Sequence, residues 1–100
     1  IGTMSSRFVI RYHYAVEDSD IPRLSREWQA RVRHAIETKL TVHPDIFGKP
    51  LRRSFAGCRK LRVGDYRVAF TLAASEVKVW AIAHRGDVYA ILEKRLPVDF

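Results

Sequence analysis

Residues 58–84 constrain the fold more than any other part of this chain. They read as three short strands joined by connections of two and four residues. Runs at 59–63, 66–72 and 77–84 are rich in β-branched and aromatic residues and alternate in polarity, the period-2 signature of a strand. Gly64-Asp65 and residues 73–76 are turn-length, so the three strands must pair as an antiparallel meander. On the second strand Tyr66, Val68, Phe70 and Leu72 share one face and Arg67, Ala69 and Thr71 the other. The third strand is apolar on both faces, Val77, Val79 and Ala81 against Trp80 and Ile82. That predicts a central position. Gly86 interrupts the run, and residues 87–96 are expected to form a short final helix.

Upstream, residues 7–14 (RFVIRYHY) alternate as a strand, and residues 17–20 break the pattern and start a helical turn. The clearest helix is predicted over 24–42. Leu24, Trp28, Val32, Ala35, Ile36 and Leu40 form one apolar stripe, read first as a core face and second as a partner face. Ser25 is its expected N-cap, and His43-Pro44-Asp45 its end, because proline disfavours helical angles in the residue before it. Residues 47–57 (FGKPLRRSFAG) read as a basic loop. The whole is an α+β domain with helices on one face of an antiparallel sheet. With 100 residues it is one domain, expected over 4–100. Ile1-Gly2-Thr3, ahead of Met4, are expected to be a vector remnant.

The charge balance narrows the partners. Lys+Arg number 18 against 11 Asp+Glu, a net of +7 with pI near 10.1. Such a surface attracts polyanions. Most of the cations are arginine, whose planar fork suits phosphate. No segment approaches the roughly 20 apolar residues of a membrane span, so no membrane role is expected. The single cysteine, Cys58, cannot form an internal disulfide. It reads as a plain strand residue, with a catalytic thiol as the lesser alternative. Cysteine usage is compatible with the cytoplasm.

Alternation places Cys58, Lys60 and Arg62 on one face of the first meander strand. Arg67 must point away from the core that Tyr66 and Val68 seek. His84 and Arg85 end the third strand, with Tyr89 soon after. RNA carries its own nucleophile, the 2′-hydroxyl. Cleavage needs a base for that proton, cations for the charge on phosphate and an acid for the leaving oxygen. Histidine titrates near neutrality, so His84 is a candidate proton carrier, and Tyr89 a second. Arg67 and Arg85 suit electrostatic roles, since arginine holds its proton. Each has a plainer reading: Arg67 as a surface charge or partner of Asp65, His84 as structural, Tyr89 as core. No P-loop, dinucleotide fingerprint, HExxH or CxxC is present.

The segments KLRVGDYR, residues 60–67, and HRxxVY, residues 84–89, within a context running from about Phe8 to Leu96, closely resemble the RelE/ParE superfamily of type II toxins. The resemblance implies a helical hairpin packed on a curved antiparallel sheet. It implies a ribosome-dependent messenger RNA endonuclease that cuts in the A site through the 2′-hydroxyl, without metal or other cofactor. Its catalytic residues would be Arg67, Arg85, Tyr89 and His84. Lys60 and Arg62, with Lys49, Arg52 and Arg53 of the basic loop, would bind RNA. The family pattern has lysine where this chain has Cys58 and His84. The resemblance also implies a cognate antitoxin, the ribosome and mRNA as partners, with operator DNA bound only by the toxin–antitoxin complex. Two alternatives share the fold: a ParE-like inhibitor of DNA gyrase that acts by binding, and an inactive toxin that only binds its antitoxin.

Overall fold

In the computed structural model the meander forms where alternation requires it. The structure describes residues 7–51, 55 and 57–96. The strands are β3 (Cys58–Val63), β4 (Tyr66–Ala73) and β5 (Glu76–His84). Gly64 turns the first hairpin at φ +60, a conformation that costs an L-residue with a Cβ about 1–2 kcal/mol. A Cβ there would also lie 2.5 Å from the Trp28 ring, so glycine is required twice over.

Two further strands complete a five-stranded sheet of order β1-β5-β4-β3-β2, with β1 at Val9–Tyr12 and β2 at Lys49–Pro50. The meander is antiparallel, but β1 joins β5 in parallel, so the sheet is mixed. A tight turn dictates antiparallel pairing, whereas the helical crossover after β1 leaves its direction open. β5 is thereby flanked on both sides along its first half, as its two apolar faces suggested. β2 lies inside the expected loop. With two residues and a proline on a sheet edge, it shows no periodicity to read.

The long helix runs as α1 (Arg26–Ala35) and continues as a π-helical turn, Ile36–Leu40. Ser25 caps it, its hydroxyl accepting from the Trp28 N–H at 3.3 Å. A π-helical turn, Val16–Asp20, and a 3-10 turn, Ile21–Arg23, form the short first arm of the hairpin. Pro44 does not merely follow α1. It opens a second short helix, α2 (Pro44–Phe47), where the missing proline N–H is no loss.

The core has two layers. Val32, Ile36 and Leu40 of the hairpin pack with Leu61, Val68, Phe70, Val77, Val79 and Ile82 on one face of the sheet. The final helix α3 (Val88–Arg95) packs on the opposite face, where Val88 and Leu92 meet Cys58, Ala69, Trp80, Ala81 and Ala83. The expectation of helices on one face is thus corrected for α3. Small residues at 69, 81 and 83 leave a shallow floor that a helix can occupy.

A register shift between Ala69 and Phe70 explains a second correction. Ala69 faces Ala81, but Phe70 faces Val79. β5 therefore carries one extra residue at Trp80, a β-bulge. Trp80 and Ala81 both join the α3 face, while Ile82 joins Val77 and Val79. Strict alternation had assigned Ala81 and Ile82 to the other sides.

Candidate functional site

The bulge lies where β5 runs past the end of β1. β1 pairs with β5 only as far as Val79, whose carbonyl accepts from the His13 N–H. Beyond that, side chains replace a neighbouring strand. Asp20 Oδ2 accepts from the Ile82 N–H at 2.9 Å, and Arg95 donates to the Trp80 carbonyl at 3.0 Å. The two side chains also pair with each other at 2.7 and 2.9 Å. Both β5 groups are satisfied, as burial demands.

On the α3 face, the strands gather the cations. Lys49 pairs with Lys60 across β2–β3, and Arg62 with Arg67 across β3–β4. Lys60 and Arg62 are two residues apart on one strand face, with Lys49 beside Lys60 on β2 and Arg67 beside Arg62 on β4, so the four cations form a zigzag across three adjacent strands. Residues directly opposite in a ladder have Cβ atoms about 4.5–5.5 Å apart, and like charges there are destabilising. With Phe47 these four residues line a cleft of about 250 Å³. Among the described residues, none of the four is in an ion pair with a carboxylate. Arg67 does not pair with Asp65. Its guanidinium donates to the Gly64 and Tyr66 carbonyls, both at 2.9 Å, which bends it back over the hairpin turn.

Tyr89 reaches this face from α3. Its ring lies 6.0 Å from Lys60 Nζ and 5.4 Å from the Phe55 ring. It is half-buried against the second core layer, so the core and site readings of Tyr89 hold together. Arg85 is exposed, and its backbone N–H donates to the Asp65 carbonyl at 2.8 Å. That fixes it beside the hairpin turn, at the Arg62–Arg67 end of the sheet. Arg52 and Arg53 lie outside the described residues.

His84 is elsewhere. Its partner across the ladder is Tyr66, on which its ring rests edge-on at 5.9 Å. Tyr66 faces the hairpin layer, opposite to Arg67. His84 therefore lines a separate cleft with Arg23, Leu24, Asp87 and Ile91, and its Nδ1 accepts from the Gly86 N–H at 3.2 Å. The expected grouping of His84 with Lys60 and Arg62 does not occur. Strand alternation between 83 and 84 is the reason, and the bulge upstream hides it from a simple count along β5.

Two residues of the site carried no signal in the sequence. Phe47, 40% exposed, is the one aromatic wall of the cationic cleft among the described residues. Arg59 packs on the other side of β3, where its guanidinium donates to the Gly48 carbonyl at 2.9 Å and the Asp45 carbonyl at 3.4 Å. A cation on the last carbonyls of α2 stabilises that end, and so holds Phe47 and Lys49 at the cleft. Cys58 is buried beneath α3, and burial pushes its thiol pKa up. Since the thiolate is the nucleophile, this disfavours a catalytic thiol. Among the described residues, no three His, Cys, Asp or Glu side chains converge as a metal site, and no helix is long and apolar enough to cross a membrane.

Fold and cleft together define a class: small basic α+β domains in which a helical hairpin and a C-terminal helix sandwich a sheet bearing a cationic face. The sequence matches the family described as ParE toxin of type II toxin-antitoxin system, parDE, over residues 7–89. Toxin RelE of Mycobacterium tuberculosis is 31% identical over 83 residues, which cover 78% of this chain and 86% of that toxin. Among solved structures, the toxin-antitoxin complex RelBE2 from Mycobacterium tuberculosis contains a chain of similar fold. It has a TM-score of 0.73 and 27% identity, with 79% of this chain and 99% of that one covered. A chain of the RelB-RelE complex from Methanococcus jannaschii shares the fold with a TM-score of 0.60 at 14% identity, covering 80% and 95%. The chain belongs to the ParE toxin family of type II toxin–antitoxin systems, within the RelE/ParE superfamily.

Proposed function

We infer that the chain is an RNA endonuclease that cuts messenger RNA in the ribosomal A site. The observation that carries this reading is the zigzag of Lys49, Lys60, Arg62 and Arg67 across β2, β3 and β4, with Tyr89 on Lys60. Four like charges held together without a carboxylate suit a phosphodiester, which relieves their repulsion. Attack of a 2′-hydroxyl oxygen on the adjacent phosphorus forms a 2′,3′-cyclic phosphate and breaks the bond to the 5′-oxygen. One proton leaves the 2′-hydroxyl and one is delivered to the 5′-oxygen. Arg62, Arg67 and Arg85 hold charge throughout and stabilise the dianionic phosphorane. Tyr89, Lys49 and Lys60 are the groups at the cleft able to exchange a proton. His84, on the other face, is not assigned that role. The relatives solved with antitoxins support a cognate antitoxin as the resident partner in the cell.

The test is primer extension on a reporter mRNA in a purified translation system. Wild-type protein is expected to cut at A-site codons only when ribosomes are present. Tyr89→Phe keeps the ring contacts with Phe55 and Lys60, and is expected to cut at least a hundredfold more slowly. An intact message with wild-type protein overturns the reading. Loss of supercoiling by purified gyrase would then favour inhibition by binding.

A further inference from the structure

We propose that Phe47 is a stacking platform for an unpaired base, so that the cationic cleft takes a whole nucleotide of single-stranded RNA and not merely a phosphate. The proposal rests on the RNA-binding reading above and deepens it. The cleft is walled by Lys49, Lys60, Arg62 and Arg67, all suited to phosphate, and by one aromatic ring. A phosphate has no use for that ring, whereas every nucleobase has a π-face that stacks on it. Leaving a phenyl ring 40% exposed forfeits apolar burial, and the fold holds it there all the same. Gly48, next in the chain, packs so tightly that a Cβ would lie 2.2 Å from the Phe70 ring. Arg59 ties the carbonyls of Gly48 and Asp45 to β3. A helix of only four residues is thus held firmly enough to present a ring. Lys39 Nζ lies over one face of the same ring, 5.5 Å from its centroid, so a stacked base takes the ring's other face.

The experiment is fluorescence anisotropy at low salt with a labelled 2′-O-methyl hexaribonucleotide, which cannot be cut. A matched set carries one abasic position at each place in turn. The wild-type chain is compared with Phe47→Leu, Phe47→Trp and Lys60→Met. One abasic position is expected to weaken wild-type binding about tenfold, the lower range for base–aromatic stacking. Phe47→Leu, with near-native circular dichroism, should bind the intact strand about tenfold more weakly and lose nothing more to the abasic position. Phe47→Trp should restore the tenfold difference. Equal binding of intact and abasic strands by wild type, or unchanged binding by Phe47→Leu, overturns the platform while Lys60→Met still weakens binding. Failure of wild type to bind any strand overturns the platform, while cleavage at A-site codons in the translation assay tests the endonuclease reading separately.

Discussion

Asp20 and Arg95 stand 75 residues apart in sequence and form a two-pronged ion pair across the end of β1, with contacts of 2.7 and 2.9 Å. The Asp20 side chain is 1% exposed and that of Arg95 14%. Each also bonds the backbone of β5, so the pair completes a sheet edge that no strand reaches. Removing one partner of a buried pair strands the other charge, at about 3–5 kcal/mol. Asp20→Leu is therefore expected to lower unfolding free energy by about 3 kcal/mol, read by urea denaturation. The Asp20→Leu/Arg95→Met double variant should recover part of that loss. A single variant as stable as wild type would show that the pair closes nothing.

The Gly64 turn predicts a second cost. Gly64→Ala must hold a φ of +60 and displace the Trp28 ring from 2.5 Å. A loss of about 2 kcal/mol or more is expected in the same assay, the left-handed conformation alone costing about 1–2. Trp28 fluorescence should shift with it, because the ring packs tilted against Tyr66 with centroids 4.8 Å apart.

Stability should fall in mild acid through His13. The side chain is buried, its Nδ1 accepts from the Ala15 N–H at 3.1 Å, and burial first, then the nearby Arg95, hold its pKa below 6.5. The unfolded imidazole titrates near 6.5. Between the two values the unfolded chain binds the extra proton, so unfolding is favoured as pH drops. The His13 contribution is full above 6.5 and is lost as pH falls from there through the folded-state value. Urea midpoints measured from pH 7.5 to 5 should decline, and His13→Asn should flatten the slope in that window.

The cation zigzag should trade stability for binding. Arg62→Met removes an exposed charge facing Arg67 and diagonal to Lys49. Folding is expected to gain a few tenths of a kcal/mol. RNA affinity should fall, and the slope of log K against log salt should shrink by about 0.7, the amount for one single-strand phosphate no longer neutralised. Unchanged salt dependence would mean that Arg62 meets no phosphate.

Cys58 is expected to be a bystander. Its thiol is buried and its pKa raised, so a thiol reagent should label it only as fast as the fold opens. Cys58→Ala should leave mRNA cleavage unchanged within twofold.

Much of this protein is local in origin and so was legible in the chain. Alternation over residues 58–72 is read from neighbours two apart, and it correctly put Lys60 and Arg62 on one strand face and Arg67 opposite Tyr66. The α1 stripe and its Ser25 cap are likewise short-range. Tertiary structure decided the rest. The parallel pairing of β1 and the layer chosen by α3 depend on which apolar face remains uncovered once the other elements have packed. The bulge at Trp80 turned Ala81 and Ile82 over, because one extra residue resets the alternation of everything downstream of it. His84 then fell on the face away from the cations. Phe47, Arg59 and the Asp20–Arg95 pair depend on contacts 11 to 75 residues apart. No local periodicity encodes such contacts, since they form only when packing brings distant segments together.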